Sequence, residues 1–137
     1  MPEQNYANHT RYDPLLHFFL MPLCLTCFVA SIVHVVHSRT PFDVLLVPVT
    51  FALLLSSLKG RMYAVKNQDR IIRLEEDLRM RRLGVDPSSL STPQCVALRF
   101  APDDELPALA ARAAVQNSTP KQIKEAVARW RPDYHRI

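Results

Sequence analysis

The sequence predicts an all-α protein: a transmembrane helical hairpin whose second helix extends into a cytoplasmic stalk, followed by a small bundle of short helices. The prediction depends on two apolar stretches near the start of the chain. Residues 14–36 contain no charged residue, and residues 41–58 contain only Asp43. A bilayer core of about 30 Å needs roughly 20 apolar residues in a helix, which the first stretch supplies and the second nearly supplies. The chain has only two glycines, and this favours helices punctuated by proline.

Charge divides the chain into two unlike parts. Residues 1–58 carry a net charge of −1 and residues 59–137 a net charge of +5. We therefore expect a membrane part and a polar part. The predicted division is a polar interfacial segment (1–13), a transmembrane hairpin (14–58, with helices near 14–36 and 41–58), a basic cytoplasmic stalk helix (59–83), a linker (84–90) and a small helical domain (91–137).

Basic residues near the membrane ends predict the orientation of the hairpin. Arg11 precedes the first helix and Arg39 lies in the central loop, whereas the flank after the second helix is much more basic, with Lys59, Arg61, Lys66, Arg70 and Arg73. By the positive-inside rule, both termini face the cytoplasm and the protein is a multi-pass membrane protein. The first helix lacks the basic flank and the small-residue cleavage site of a signal peptide. A re-entrant hairpin is the alternative topology.

The stalk carries a narrow apolar seam. Ile71, Leu74 and Leu78 follow the spacing i, i+3, i+7 on a helix that is otherwise covered in charge. The seam must pack on the C-terminal helices, on a second copy or on a partner. Because Asn67 and Arg81 occupy the neighbouring seam positions, a long coiled coil is not expected. We predict instead that the C-terminal helices fold back on the seam through the alanine-rich face of 106–116 and the stripe Ile123–Val127–Trp130.

Capping signals predict the short helices of the tail. Gly84, followed by Asp86 and Pro87, ends the stalk. Ser91-Thr92-Pro93-Gln94 and Thr119-Pro120-Lys121-Gln122 both fit a capping box with proline in the first turn. An alanine-rich helix lies between them and is closed by Asn117.

Small residues predict where the membrane helices pack. Ala52, Ser56, Gly60 and Ala64 recur every four residues, a spacing that lets helix backbones approach closely. We expect this stripe to pack within the hairpin, with a second copy or a larger complex as the alternative. Cys24, Cys27 and Ser31 share one face of the first helix. Because a thiolate is costly inside a membrane, the C-x-x-C pattern is interpreted as small packing residues rather than a redox or metal site.

The histidines predict neither a haem nor a metal site. His17 and His34 lie on one helix, about 25 Å apart by helical rise, and so cannot ligate one iron. His34 and His37 share a face near the outer surface, but only Asp43 can join them. No cofactor, catalytic residue or metal ligand is therefore expected.

Two polar regions remain as candidate contact sites. Residues 5–13 combine asparagine, tyrosine, histidine and arginine, which is typical of an interfacial anchor; docking on the tail and a ligand or catalytic cluster are the alternatives. The candidate contacts to lipid or to a partner are Lys59, Arg61, Lys66, Arg70, Trp130 and Arg131. The C-terminal stripe closes the bundle or lies on anionic lipid. Nucleic-acid binding is not expected, because acids are interspersed among the bases.

Four sequence patterns together resemble a known family. They are Asn5-Tyr6-x-Asn8-His9 with Arg11, Pro14 and His17-Phe18; Gln68 to Glu76; Ala97-Leu98-Arg99-Phe100-Ala101 with Asp104-Glu105-Leu106; and Trp130-Arg131-x-Asp133-Tyr134. The chain resembles a family of small bacterial two-helix membrane proteins known only as a domain of unknown function. The resemblance implies two membrane helices in a bacterium, and hence the inner membrane. It implies no activity and no site residues.

These observations favour a non-enzymatic inner-membrane protein that anchors, scaffolds or assembles other proteins. Its expected partners are membrane lipid and a protein partner or second copy, with no nucleic acid and no small-molecule substrate. The alternative is a module that binds anionic lipid or regulates at the cytoplasmic face. An enzyme with its site in the N-terminal polar cluster is the third interpretation.

Overall fold

The computed structural model describes residues 4–8 and 12–133, and every regular element in these ranges is helical. The elements are a π-helical segment Leu15–Leu20, α1 (Met21–Ser38), α2 (Pro41–Arg82), a 3₁₀ turn (Pro87–Ser89), α3 (Thr92–Leu98), α4 (Leu106–Gln116) and α5 (Pro120–Glu125). The predicted all-α class, with two long apolar helices followed by shorter ones, is confirmed.

The chain forms two compact units. The hairpin unit comprises residues 12–65, and the tail unit comprises residues 66–133 together with residues 4–8. Helix α2 contributes its first part to the hairpin unit and its second part to the tail unit.

In the hairpin unit, a tight connection joins α1 to α2. Helix α1 ends at Ser38 and is capped by Arg39, which adopts a left-handed conformation with φ of 51° and donates its N–H to Val35 O at 3.2 Å. Thr40 and Asp43 then cap α2 reciprocally: Asp43 Oδ2 accepts from the Thr40 hydroxyl at 2.7 Å, and the Thr40 hydroxyl accepts from the Asp43 N–H at 3.2 Å. Such pairing satisfies backbone donors that the first turn leaves free.

Both apolar helices are long and apolar enough to cross a membrane. Only 6% of the most apolar window of each helix is buried. Pro22 lies in the first turn of α1, directly after the π-helical segment. Because proline lacks an N–H donor, it interrupts the regular helical hydrogen bonding there.

The tail unit has a small core of its own. Met80 from α2 is fully buried with Cys95 and Leu98 of α3 and Leu106 of α4. Ile123 and Val127 complete this core, and Trp130 packs against it. The C-terminal stripe therefore closes the bundle, as one of the two sequence interpretations predicted.

The prediction that the tail folds back on the seam is wrong. Ile71, Leu74 and Leu78 are 57%, 65% and 65% exposed. The tail instead covers a different face of α2, whose buried residues are Ile72, Glu76, Arg79 and Met80. At 100° per residue this face lies about 150° around the helix from the seam. The physical reason is that the buried face carries arginines that bond the backbone and carboxylates of the tail, which hydropathy alone does not reveal.

Candidate functional site

The hairpin packs through a polar contact between its two helices. Ser31, the most buried residue of α1 at 7% exposure, places its Oγ 2.9 Å from Thr50 Oγ1 of α2. Each hydroxyl also lies within hydrogen-bond distance of a carbonyl of its own helix, Ser31 of Phe28 O and Thr50 of Leu46 O. Because each hydroxyl has one proton, one of them donates to its carbonyl while the other donates across the contact. The predicted packing role of Ser31 therefore fits this geometry, because a hydroxyl with two partners is satisfied in an apolar setting.

Several residues that the sequence predicts to pack between membrane helices are exposed or only half-buried. Cys24 is half-buried, but Cys27 is exposed. Ala52, Ser56 and Gly60 are exposed, and only Ala64 of that stripe is half-buried. A Cβ added to Gly60 would meet nothing within 4 Å. The expectation that this stripe packs within the hairpin is therefore wrong, because α2 turns the face of Asp43 and Thr50 towards α1.

The histidines of the hairpin unit have local partners. His34 Nε2 lies 3.1 Å from Asp43 Oδ1, His37 Nδ1 lies 2.8 Å from Val33 O, and His17 Nδ1 lies 2.9 Å from Asp13 O. Within residues 4–8 and 12–133, no group of three or more histidine, cysteine or carboxylate side chains is placed to hold a metal ion.

The tail unit contains a buried ion-pair network centred on Arg79. Arg79 is 6% exposed; its Nε donates to Asp103 Oδ1 at 2.6 Å, its Nη1 to Glu76 Oε2 at 3.0 Å and its Nη2 to Ala101 O at 2.7 Å. Arg131 Nη1 approaches Glu76 Oε1 at 3.6 Å. Burial raises the pKa of Glu76 against the opposing effect of Arg79, whereas the hydrogen bond from Arg79 lowers the pKa of Asp103. The network ties α2 to the loop before α4.

A cleft borders this network. It has a volume of about 440 Å³ and is lined by Arg79, Arg82, Leu83, Pro102, Asp103 and Arg131. Arg79 and Arg131 are already held by Glu76 and Asp103. Most of the cleft's charge therefore stabilises the fold, and Arg82 alone remains exposed without an ion pair among the described residues.

Arg73 forms a second buried contact with the backbone. Its Nη1 donates to Leu90 O at 2.7 Å and to Cys95 Sγ, and its Nη2 donates to Pro87 O at 3.0 Å. Its Nε lies 2.8 Å from Asp77 Oδ1, an ion pair without hydrogen-bond alignment. Burial raises the pKa of the Cys95 thiol to about 11 despite the nearby guanidinium. Cys95 is therefore a neutral core thiol at physiological pH, which does not suit a nucleophile.

The C-terminal end is fixed by charges and rings. The Phe100 ring lies 4.6 Å from the Trp130 ring and beneath the Arg99 guanidinium at 4.1 Å. Arg99 Nε donates to Asp133 Oδ2 at 2.9 Å, and Arg131 N donates to Phe100 O at 2.7 Å. The structure therefore places Trp130 and Arg131, predicted as contacts to lipid or to a partner, in contact with the tail unit itself.

The described part of the N-terminal polar cluster forms a local turn. Asn5 Oδ1 accepts from Ala7 N and Asn8 N, and Asn8 Oδ1 accepts from Asn5 N at 2.7 Å. Gln4 Oε1 accepts from Asp133 N at 2.7 Å, so Gln4 contacts the end of the tail. His9, Thr10 and Arg11 lie outside the described residues. Gln4 directly precedes the predicted cluster, so docking of residues 5–13 on the tail stays a prediction.

Comparison with known proteins places the chain in a family. The model of a family of unknown function, DUF6526, matches residues 1–137. The chain belongs to the DUF6526 family. No curated protein and no solved structure matches it. The predicted membership of a family of unknown function is thus confirmed.

Sequence reasoning missed the arginine network of this DUF6526 member. Arg79 and Glu76 lie in the stalk, which the sequence predicts to be covered in charge outside its seam, yet they are 6% and 5% exposed. One signal was available: Arg73, Glu76 and Arg79 recur every three residues on one side of α2. Charged residues at helical spacing usually mark a solvated face, so the pattern does not distinguish exposure from buried pairing.

Proposed function

We propose that this DUF6526 member is a non-enzymatic integral protein of the bacterial inner membrane. The hairpin anchors it with both termini in the cytoplasm, and the tail unit is a scaffold for protein assembly. The observation that carries the proposal is the exposure of the hairpin's apolar side chains, such as Phe18 at 72%, Phe19 at 60% and Leu53 at 58%. Apolar surface of this extent needs lipid or protein around it.

The tail unit supports a scaffold role rather than catalysis. Its buried charges are used in pairing with one another and with backbone carbonyls. Its buried cysteine has a pKa of about 11. These features stabilise a small helical platform, and small domains with modest cores depend on such contacts.

Membrane integration of the full chain tests the anchor. We expect the protein to remain in the membrane pellet after alkaline carbonate extraction and to dissolve only in detergent. Arginine at two exposed positions near the middle of the first span, Leu25→Arg and Val29→Arg together, should release the protein to the soluble or aggregated fraction, because each charge at mid-membrane costs several kcal/mol. The control variant Ser38→Arg lies at the end of α1 and should stay in the membrane. Carbonate release of the unchanged chain would contradict the proposal.

Binding of anionic lipid is the second candidate function. Lys59, Lys66 and Arg70 are exposed and Arg61 is half-buried, and none of them forms an ion pair among the described residues. Basic residues beside a membrane helix attract anionic headgroups by about 1 kcal/mol each. Lipids co-purifying with the chain should be enriched in phosphatidylglycerol, and replacing Lys59, Arg61 and Lys66 by glutamine should remove the enrichment. If the lipids that co-purify with the two proteins have the same composition, these basic residues determine only the topology and do not bind anionic lipid.

A further inference from the structure

We propose that the seam of α2 is the interface of a parallel, in-register dimer formed with a second copy of this chain. The parallel orientation rests on the proposed function, because two copies anchored in the same membrane with the same topology point the same way. The juxtaposition that carries the proposal is an apolar seam flanked by unpaired charges of opposite sign.

The seam is exposed, whereas another face of the same helix segment is covered by the tail. Ile71, Leu74 and Leu78 are each more than half exposed, whereas Ile72, Glu76, Arg79 and Met80 are buried in the tail unit. Because the two sets lie on nearly opposite sides of α2, the tail leaves room for another helix along the seam.

Heptad spacing identifies the kind of helix that fits. With Ile71 at position a, Leu74 is at d and Leu78 at the next a, and Asn67 is at the preceding d. Ile at a with Leu at d favours two parallel strands. Asn67 and Arg81, both at d, bound this apolar run at its two ends. The same spacing continues along α2 to Gly60, whose lack of a side chain permits close approach.

The flanking charges match a second copy. Position g of one helix meets position e of the following heptad in its parallel partner. Arg70 at g therefore faces Glu75 of the second copy at e, and Asp77 at g faces Arg82 of the second copy at e. Arg70, Glu75 and Arg82 are exposed and form no ion pair within residues 4–8 and 12–133. Among the described residues these three charges have no ion-pair partner, and a second copy in register supplies one. Because Asp77 already lies 2.8 Å from Arg73 of its own helix, the contact between Arg70 and Glu75 carries most of the charge match.

A short coil is compatible with the polar residues that flank the seam. Asn67 and Arg81 limit the apolar run to one heptad and its neighbour, so the paired segment is short. A short coiled coil pairs weakly by itself. The membrane hairpin favours pairing, because it holds both copies in one plane at high effective concentration.

Capture of one tagged copy by another tests the dimer. Two differently tagged full-length chains are co-expressed, extracted in mild detergent, and captured through one tag. We expect the second tag to be retained and light scattering to give twice the chain mass. Leu74→Arg should reduce retention at least about tenfold, because it places like charges in the apolar seam. Val115→Arg is the control: Val115 is 87% exposed on α4 and lies off the seam, so retention should not change.

Charge reversal tests the register of the dimer. Because the two variants should rescue each other, it also distinguishes a lost contact from a misfolded variant. Arg70→Glu alone and Glu75→Arg alone should each weaken self-capture several-fold, since like charges then meet across the interface. Co-expression of the two variants should restore capture. In that mixed dimer the introduced glutamate of one chain meets the introduced arginine of the other, and the unchanged Arg70 and Glu75 meet at the second g–e contact.

Two results would overturn the inference: a monomeric wild type, or a mixture of the charge-reversed chains that captures no better than the single variants. Either result leaves the carbonate test of the anchor unaffected, so failure of the dimer and failure of the proposed function are distinguishable.

Discussion

Arg79 donates its Nε–H to Asp103 Oδ1 across 2.6 Å, which joins the second part of α2 to the segment leading into α4. The same guanidinium bonds Glu76 and the carbonyl of Ala101. The Arg79 side chain thus connects α2 both to the buried carboxylate of Glu76 and to the loop between α3 and α4. This arrangement turns the arginine-rich end of α2 into a fold-determining element rather than a solvated one.

Loss of Arg79 should destabilise the tail unit strongly. Arg79→Ala leaves Glu76 buried without its main partner, a change that costs about 3–5 kcal/mol. Trp130 is the only tryptophan and packs on Phe100, so its fluorescence reports unfolding of this unit in urea. Arg112→Ala, at an exposed arginine of α4, is the matched control and should change the free energy of unfolding by about 0.5 kcal/mol or less. Equal effects of the two variants would show that the network contributes nothing.

The two capping boxes should differ in their contribution to stability. Gln94 and Gln122 occupy the same position in α3 and α5. Gln94 is 4% exposed and also donates to Ser118 O at 3.0 Å and Ala113 O at 3.3 Å, whereas Gln122 is exposed. Gln122→Ala should cost about 0.5–1.5 kcal/mol, because the Thr119 N–H loses its acceptor. Gln94→Ala should cost roughly a further 1–3 kcal/mol, because carbonyls at the end of α4 lose a buried donor. Equal urea midpoints for the two variants would contradict this account.

The capping boxes also show which features the sequence makes predictable. Ser91, Thr119, Gly84 and Asn117 mark helix ends through local chemistry, and the helices of the structure end beside them. The long apolar helices are equally predictable from composition.

The face of α2 that packs was not predictable in this way. The choice depended on long-range partners for Arg73 and Arg79, 14–24 residues away along the chain. Apolar periodicity instead pointed to Ile71 and its neighbours, which the tail leaves exposed. The prediction that the stripe at Ser56 and Gly60 packs within the hairpin was wrong for a related reason. Small residues permit close packing of helices but do not determine which helix packs there.

Cys95 should make the tail unit sensitive to alkaline pH. Its folded-state pKa of about 11 lies above the ordinary value of 9.0. Its contribution to stability is therefore fully present below pH 9 and is lost as the pH rises towards 11, because only the unfolded thiol ionises in that window. The loss should be about 2 kcal/mol.

The contribution of Cys95 to the free energy of unfolding is measured by comparing the wild type with Cys95→Ala at two pH values. Urea unfolding followed by Trp130 fluorescence at about pH 8.5 and about pH 11 gives the loss for the wild type and for Cys95→Ala. Ionisation of tyrosine and lysine is common to both proteins and cancels. The wild type should lose more stability than the variant between these pH values; parallel losses would mean that the thiol ionises as readily in the folded state.

Bulk at Ser31 should separate the helices of the hairpin. Ser31→Leu inserts a large side chain where Ser31 Oγ and Thr50 Oγ1 lie 2.9 Å apart, and overpacking costs about 1–3 kcal/mol. Cys27→Leu, one turn away on an exposed position, is the control. We expect a lower midpoint of thermal unfolding in detergent for the Ser31 variant alone. A wild-type midpoint for Ser31→Leu would place the contact between α1 and α2 elsewhere.

The topology of the full chain tests the membrane hairpin. A reporter that is active only in the cytoplasm is fused to either terminus or inserted after Ser38, and a reporter that is active only outside is placed at the same three positions. We expect cytoplasmic activity at both termini and external activity at Ser38. Cytoplasmic activity at only one terminus, or at all three positions, would contradict it.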